Sequence, residues 1–314
     1  MIIVNFNTVS LLKECLNSIQ ENKGNLNLEI LVVDNNSGDQ SVEMIKKDFP
    51  RVNLITNSEN VGFARGVNQG LNLAKGRYLL LLNPDTKVLP GVLEGMVDFM
   101  DQNQATGIAG VQLINPDGTK QNSIDNFPSL AQQLSNKSLL RILFPKTYPS
   151  KYEEFSSRTE VESVIGACMI VQPEAIKEVG ELDQEYFLFL EETDWCYRMK
   201  RKGWKVYHLP QFKVIHKQGQ SLLNFKSKGR IEYYRSNYRF FKKNYSSWNY
   251  FFLKLIICLR ILINIVLNLI ASIVTLGLKK KYKEQLLIYL HLSLWHVLGC
   301  PGREVQKYGS LFKI

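Results

Sequence analysis

The chain has 314 residues, 45% of them hydrophobic, so it can build a full-sized core and two structural units, and general disorder is excluded. Lysine and arginine outnumber aspartate and glutamate by 39 to 29. The net charge of +10 favours an anionic partner such as a phosphate or a lipid surface, and leaves nucleic acid open on charge alone. Five cysteines without a CxxC pair argue against a disulfide framework or zinc ribbon and fit a reducing cytosol.

The first hundred residues alternate between strand and helix patterns. Predicted strands cover residues 2–7, 28–37, 52–57 and 77–85. Predicted helices cover residues 10–20, 40–48, 62–74 and 91–102. This alternation favours βαβ units and a parallel sheet with right-handed crossovers.

The second part of the chain is less regular. A strand at residues 107–114 precedes a polar, proline-containing stretch at 115–163, which we interpret as excursion loops. Strands at 161–172 and 205–210 flank a turn that leads into a basic helix. From Trp248 onward long apolar stretches indicate a separate unit.

Two predicted strands end on an acid. In "YLLLLNPDT" a run of leucines predicts a strand buried on both faces, Pro84 ends it, and Asp85 follows, where open α/β sheets hold their ligands. Asp34 ends the second predicted strand in the same way. The small polar residues behind Asp34 also fit an ordinary turn. The functional alternative is that its carboxylate accepts a hydrogen bond from a ligand N–H, such as the imide of a pyrimidine.

Three glycines in "NVGFARGVNQG", Gly62, Gly66 and Gly70, recur at intervals of four and match neither the dinucleotide fingerprint nor a Walker loop. Gly66 and Gly70 favour a helix whose small face packs closely on the sheet. Arg65 and Asn68 are less easily explained by packing. A cationic fork here would hold a phosphate, and a solvated arginine is the alternative.

Glu191, Glu192 and Asp194 follow an apolar run. Acids are common in the first turn of a helix, yet three so close repel one another, which raises the pKa of one and suits it to take a proton. His216 follows another apolar stretch. A lone histidine is usually structural, but with Asp85 it suits a divalent cation such as Mn2+ or Mg2+.

Seven motifs, taken in order between residues 2 and 221, resemble the family 2 glycosyltransferases, and most closely their rhamnosyltransferase-like branch. They are "IIVNFN", "VVDNNSGD", "NVGFARGVNQG", "LLLLNPDT", "GACMIV", "FLFLEETDWCYRMKRKGW" and "HKQGQS". The resemblance implies a GT-A fold, α/β with a Rossmann-like, mostly parallel sheet flanked by helices. It divides the chain into a nucleotide-sugar-binding half at 1–110, an acceptor-binding and catalytic half at 111–245, and a hydrophobic helical tail at 246–314.

The implied activity is inverting transfer of a sugar, rhamnose or similar, from a nucleotide diphosphate donor, helped by Mn2+ or Mg2+. The implied acceptor is a hydroxyl of a saccharide or lipid-linked saccharide in cell-surface polysaccharide synthesis, and nucleic acid is not implied. The rival from another class is a non-catalytic module that binds nucleotide or anionic lipid on the same fold. A base placed after the nucleotide site argues against that rival, and the missing fingerprint argues against a dehydrogenase.

The resemblance also assigns residues. Asp34 corresponds to the acid that recognises the pyrimidine base. Asp85 corresponds to the last residue of the DxD motif, which binds the metal, and Asn83 stands in place of the first acid of that motif. His216 corresponds to the histidine that completes the metal site. The predicted donor site comprises Asn7, Asp34, Asn35, Arg65, Asn68, Asn83 and Asp85.

"EETD" matches the family's Glu-Asp-x-Asp motif. Glu192 therefore stands where the catalytic aspartate usually does, one methylene longer. Glu191 and Asp194 are the substitutes for the role of base.

The tail contains no charge between residues 261 and 278, long enough for a membrane span. Its polar residues nevertheless form one helical stripe, and a single span would carry the lysines of 279–283 away from the cytosol, against the positive-inside tendency. We therefore predict helices lying in the interface at the cytoplasmic face of the cell membrane. The stripe comprises Lys254, Arg260, Asn264, Asn268, Ser272 and Thr275. The alternative is a tail packed on the catalytic domain or on a partner chain, which leaves a homo-oligomer open.

Overall fold

The computed structural model describes residues 1–135, 137–145, 147–148, 155–217, 226–276 and 278–301. The last residues of the motif "HKQGQS" therefore lie outside the described part of the chain. The chain forms two compact units, and each unit is discontinuous in sequence. The first comprises Met1–Phe127 and Leu143–Ser221, and the second comprises Pro128–Ile142 and Leu222–Ile314.

The amino-terminal half of the first unit has the predicted βαβ organisation. Its strands are β1 (Ile2–Asn5), β2 (Leu31–Asp34), β3 (Asn53–Thr56) and β4 (Leu79–Leu82). Its helices are α1 (Val9–Glu21), α2 (Ser41–Asp48) and α3 (Phe63–Leu71). The pairs β1–β2, β2–β3 and β1–β4 are parallel, which confirms the predicted parallel sheet for these strands.

The remaining elements up to the end of the sheet include several that the sequence did not predict. After β4 come β5 (Thr86–Val88), α4 (Val92–Gln102), β6 (Thr106–Ile114), β7 (Ile124–Asp125), α5 (Leu130–Leu134) and α6 (Lys137–Leu143). Then follow β8 (Thr159–Glu160), β9 (Ser163–Val164), β10 (Cys168–Val171), α7 (Pro173–Val179), α8 (Glu191–Arg201) and β11 (Lys205–His216). Among its described residues, the stretch interpreted as excursion loops contains the helices α5 and α6 and the strands β7 and β8, and β9 begins at its last residue. The prediction of loops alone was wrong, because weak periodicity gives no signal for such short elements.

The sheet order is β3-β2-β1-β4-β10-β6-β11-β5, with β8 paired to β11, while β7 and β9 form a separate ribbon. β10 lies antiparallel between β4 and β6, and β6 is parallel to β11. β11 continues past the predicted end at Pro210, because its register shifts between Leu209 and Lys213 and pairing then resumes. This extension is what carries the strand to His216.

Successive residues of the central strands enter opposite layers, as expected of a sheet covered on both faces. Ile3 and Leu80 pack with apolar residues of α1 and α4 on one face. Ile2, Val4 and Leu81 pack with α3, α7 and α8 on the other face. The core therefore lies on both sides of the sheet, and the strand ends are left for polar residues.

The second unit contains the helices α9 (Lys226–Asn244), α10 (Ser247–Val274) and α11 (Lys280–Val297), together with α5. Ser246 caps α10, since its side chain accepts a hydrogen bond from Asn249 N. Apolar residues at helical spacing on α10 and α11 are buried against the rest of this unit. They are Leu253, Ile257 and Ile261 on α10, and Ile288, Leu292 and Trp295 on α11.

Three residues of the polar stripe of α10 form hydrogen bonds within their own helix. Asn264 Nδ2 donates to Arg260 O and Asn268 Nδ2 donates to Asn264 O, at 2.7 and 2.8 Å. Thr275 Oγ1 donates to Ala271 O at 2.7 Å. By length and composition α10 is the one described helix able to cross a membrane.

Candidate active site

Asp85 and His216, far apart in sequence, meet at the end of the sheet. Thr86 opens β5 and pairs with His216, the last residue of β11, in antiparallel register. Asp85 Oδ1 lies 3.4 Å from His216 Nε2, and Lys217 N donates to Asp85 O at 2.9 Å. The structure thus brings together the two residues predicted as metal ligands.

The turn that presents Asp85 forms for local reasons. Asn83 O accepts hydrogen bonds from Thr86 N and Thr86 Oγ1 at 3.3 and 2.7 Å, around Pro84, which favours such a turn. Asn83 N donates to Ala167 O at 2.9 Å and so joins the turn to the loop before β10. Burial raises the pKa of the Cys15 thiol, which lies against Thr86, to about 12, so this thiol is a packing group.

The Asp85 and His216 side chains fit a divalent cation. A carboxylate oxygen and an imidazole nitrogen are donors that Mn2+ and Mg2+ accept. Adjacent ligands of an octahedral ion with bonds of about 2.1 Å lie roughly 3 Å apart, close to the 3.4 Å between Asp85 Oδ1 and His216 Nε2. Within the described residues, no group of three or more His, Cys, Asp and Glu side chains is placed to hold a metal ion.

Asp34 is buried at the end of β2 and is surrounded by donors of the chain itself. Asn5 Nδ2 and Ser37 Oγ both donate to Asp34 Oδ2 at 2.7 Å, and Ser37 N donates to Oδ1 at 2.9 Å. Asn7 N donates to Ser37 Oγ, and Gly38 N donates to Asn7 Oδ1, at 2.9 and 2.7 Å. The carboxylate braces the loops after β1 and β2, and a ligand N–H would use its remaining lone pairs.

Asn35 organises the loop before α3. Its Nδ2 donates to Asn60 Oδ1 and Gly62 O at 3.3 and 3.2 Å, and its Oδ1 accepts from Asn57 Nδ2 at 2.9 Å. Both the nitrogen and the oxygen of the Asn35 side-chain amide are therefore hydrogen-bonded within the protein. Arg65, near the start of α3, is exposed.

The structure supplies the packing explanation for Asn68 that the sequence lacked. Its Nδ2 donates to Leu182 O at 2.8 Å, and its Oδ1 accepts from Leu182 N at 3.2 Å. Asn68 is buried and ties α3 to the segment before α8. The predicted close packing of the glycines is found as well, since a Cβ at Gly66 or Gly70 would lie 2.9 or 2.6 Å from β1 side-chain atoms.

Glu191 and Glu192 open α8 after a strained backbone. Phe189 and Leu190 have φ of 72° and 65°, a left-handed conformation that is costly for such residues. The Oε2 atoms of both glutamates are buried without a hydrogen-bond partner among the described residues. Burial raises the pKa of Glu191 well above its usual range, and the Glu192 carboxylate raises it further. Burial also raises the pKa of Glu192.

Asp194 has a different environment from the two glutamates. Its carboxylate is fully buried and pairs with Arg198 Nε at 2.8 Å. Arg198 also donates to Val179 O and Glu181 O at 2.6 and 2.7 Å. A carboxylate held by an arginine in this way is a structural clamp, so the site leaves Glu191 and Glu192 as the candidates for a base.

One short loop joins the two groups of acids. Ala167 O receives the hydrogen bond from Asn83 N in the Asp85 turn. The preceding Gly166 faces Glu192, whose Cβ lies 3.4 Å from where a Cβ at position 166 would stand. The Asp85–His216 pair and the Glu191–Glu192 pair therefore lie on either side of the loop 165–167. The sequence also missed Gln121, which contacts His216, because nothing distinguishes it within the polar stretch where it lies.

A carboxylate beyond the end of β4, where the strand order of the sheet reverses, with a second pair of acids beside it, is typical of ligand-binding sites in α/β enzymes. The family described as "Glycosyl transferase family 2" matches residues 1–180, so the chain belongs to this family. A mannosyltransferase from Pyrobaculum calidifontis, solved in complex with GDP-Man and Mn2+, has a TM-score of 0.54 at 14% identity. The match covers 94% of this chain and 86% of that one and confirms the GT-A fold.

Two curated relatives fit the rhamnosyltransferase-like branch. The N-acetylglucosaminyl-diphospho-decaprenol L-rhamnosyltransferase of Mycobacterium tuberculosis is 24% identical over 237 residues, 70% of this chain and 76% of the relative. The dTDP-rhamnosyl transferase RfbF of Shigella flexneri is 26% identical over 198 residues, 62% of this chain and 61% of the relative. The predicted likeness to this branch is confirmed.

Proposed function

We propose that this protein is an inverting, divalent-metal-dependent transferase that moves rhamnose or a similar hexose from a nucleotide diphosphate to a saccharide hydroxyl. The observation that carries the proposal is the meeting of Asp85 with His216 beside the pair Glu191 and Glu192. The names of the two rhamnosyltransferase relatives support the donor sugar. The decaprenol-linked substrate in the name of one relative supports a lipid-linked acceptor in cell-surface polysaccharide synthesis.

The donor lies on the side of the strand ends in this proposal. Asp85 and His216 would hold Mn2+ or Mg2+. The bound cation would neutralise the negative charge that grows on the leaving diphosphate. Asp34 receives the base through its remaining lone pairs. Asn7, Asn35 and Asn83 shape the loops around the donor, and the exposed Arg65 is available for a phosphate.

Glu192 acts on the acceptor. Its carboxylate takes the proton of the acceptor hydroxyl as the oxygen attacks C1 from the face opposite the leaving diphosphate, so the anomeric carbon is inverted. A glutamate whose pKa is raised by burial is a stronger base than an ordinary one. Glu191 is the second candidate for the base, since burial and the neighbouring Glu192 carboxylate raise its pKa well above the usual range.

The second unit is proposed to bind the cytoplasmic face of the cell membrane. α10 is about 42 Å long at ~1.5 Å per residue, and apolar side chains along about half of its circumference are exposed. They include Phe251, Leu255, Leu259, Leu262, Val266, Ile270 and Ile273. Monomeric soluble proteins rarely leave so large an apolar surface uncovered. Exposed lysines at 279–281 and 283 suit anionic headgroups.

The test of the function uses purified full-length protein with a panel of nucleotide sugars, including dTDP-rhamnose, with and without Mn2+. We expect Mn2+-dependent release of nucleoside diphosphate and transfer of labelled sugar to a lipid extract. Glu192→Gln is the control that binds donor without turnover. Donor binding with no release by the unmodified protein would contradict the proposal and favour a non-catalytic binding module.

A further inference from the structure

We propose that Gln121 is a positioning residue that holds His216 in the tautomer with its proton on Nδ1 and its lone pair on Nε2. Gln121 is buried just after β6, where its N donates to Leu113 O at 2.9 Å. Its side chain spans from this segment to the end of β11. Both polar atoms of the side chain contact His216.

The orientation of the Gln121 amide follows from its partners. Nε2 lies 2.6 Å from His216 O and 2.7 Å from Asn115 Oδ1. A backbone carbonyl only accepts hydrogen bonds, so the amide must turn its NH2 group to His216 O. Oε1 then faces His216 Nδ1, at 3.0 Å.

The tautomer of His216 follows in turn. An amide oxygen only accepts, so Nδ1 must carry the hydrogen that joins it to Gln121 Oε1. A neutral imidazole has one N–H, which leaves a lone pair on Nε2. His216 Nε2 lies 3.4 Å from Asp85 Oδ1, so two hydrogen-bond acceptors face each other. Such a pair is completed by a cation.

Gln121 therefore prevents a competing arrangement. With the proton on Nε2, His216 would donate to Asp85 and both groups would be occupied without a metal. Hydrogen-bond partners of metal-binding histidines act in this way in known metal sites. The role in metal binding rests on the proposed function, whereas the tautomer itself does not.

The experiment measures the tautomer directly in the full-length, metal-free protein. Nitrogen-15 NMR of ring-labelled histidine at alkaline pH, where imidazole is neutral, distinguishes Nδ1–H from Nε2–H. His216→Gln assigns the signal among the four histidines. We expect Nδ1–H in the unmodified protein and a shift to Nε2–H in Gln121→Met.

Mn2+ binding, followed by electron paramagnetic resonance of the free ion, should weaken about 10- to 100-fold in Gln121→Met. The matched control is Gln172→Met. Gln172 is equally buried and donates to Glu174 Oε2 rather than to Gln121 or His216. The control should keep both the tautomer and the Mn2+ affinity.

Two results would overturn the proposal: Nε2–H in the unmodified protein, or an unchanged tautomer in Gln121→Met. An equal loss of Mn2+ affinity in Gln172→Met would also count against a specific role. Failure of the proposed function is separate, since a protein that binds no Mn2+ or transfers no sugar still reports the tautomer. The unmodified protein alone decides the first result, even if a variant fails to fold.

Discussion

At the scale of single residues, the four carboxylates of the candidate site have different surroundings. Asp85 lies beyond a strand end beside an imidazole, and Asp194 pairs with an arginine. Within the described part of the chain, Oε2 of Glu191 and of Glu192 is buried without a hydrogen-bond partner. These surroundings give the four carboxylates different chemistry. Each difference leads to a different substitution test.

Asp85→Ala should abolish metal-dependent donor binding and leave the fold intact, because the residue lies past the strand rather than in the core. The measurement is thermal shift by nucleotide sugar with and without Mn2+, since a bound donor stabilises the fold by mass action. Asp98→Ala, at an exposed acid of α4, is the control. Normal Mn2+-dependent turnover in Asp85→Ala would refute the metal role.

Glu192→Gln keeps the shape of the side chain but cannot accept a proton. We expect normal donor binding and a loss of roughly 10²–10⁴ in rate. The base must be ionised to accept a proton, and burial raises the pKa of Glu192. As the pH is lowered, the unmodified protein should therefore lose activity at a higher pH than an enzyme whose base is a glutamate of ordinary pKa. A selective rate loss in Glu191→Gln instead would show that the base is Glu191.

Glu191→Gln should stabilise the protein at neutral pH. A glutamate with a raised pKa in the folded state keeps its proton after the unfolded chain has lost it. Stability is therefore lost as pH rises from about 4.3, the unfolded value, through the folded value, by up to about 1.4 kcal/mol per pH unit. Urea unfolding across this range should show the decline in the unmodified protein and a smaller one in the variant. Glu59→Gln, at an exposed position, is the control, and a variant that declines as steeply as the unmodified protein would contradict the assignment.

At the scale of elements, α8 carries both a reactive and a structural end. Its first turn presents the glutamates, while the Asp194–Arg198 pair fastens the helix to Val179 O and Glu181 O. The strained residues Phe189 and Leu190 stand directly before it. These contacts of Arg198 fix the position of α8, whose first turn follows strained residues and contains buried acids.

Asp194→Ala should cost about 3–5 kcal/mol of unfolding free energy, because it leaves the Arg198 guanidinium, whose side chain is only 18% exposed, without its carboxylate partner. Chemical denaturation measures the loss. The control on the same helix is the partly exposed pair of Lys200 with Glu160, and Glu160→Ala should cost only ~0–1 kcal/mol. Equal costs for the two variants would show that Asp194 is not the clamp.

At the scale of the whole molecule, the second unit leaves a large apolar surface on α10 uncovered. Leu262→Glu with Val266→Glu should release the protein from anionic vesicles, because both exposed side chains lie on that surface. Flotation with vesicles measures the effect. Leu73→Glu, at an equally exposed position in the first unit, should float like the unmodified protein. Unchanged flotation of the double variant, or removal of the unmodified protein by high salt alone, would show that α10 is not the hydrophobic anchor.

The sequence by itself determined the elements whose signals are local. Strand ends can be identified from buried runs of leucine and valine, from Pro84 and from the turn residues after Asp34. Hydrophobic periodicity and turn preferences act over only a few residues. The acids at these ends and at the start of α8 could therefore be named before the fold was known. The motif order also identified the family, which the family match confirms.

Only the tertiary structure decided which of these groups meet. His216 reaches Asp85 because β11 resumes pairing after Pro210 and lies beside β5, a contact between distant segments that local patterns do not encode. The same holds for Gln121, whose role depends on the end of β11. Asp194 looked equivalent to its neighbours in sequence. In the fold, its i,i+4 partner Arg198 also donates to Val179 O and Glu181 O, whereas Oε2 of each glutamate is buried without a hydrogen-bond partner among the described residues. Long-range pairing and burial set the chemistry of a side chain, and both are properties of the folded chain.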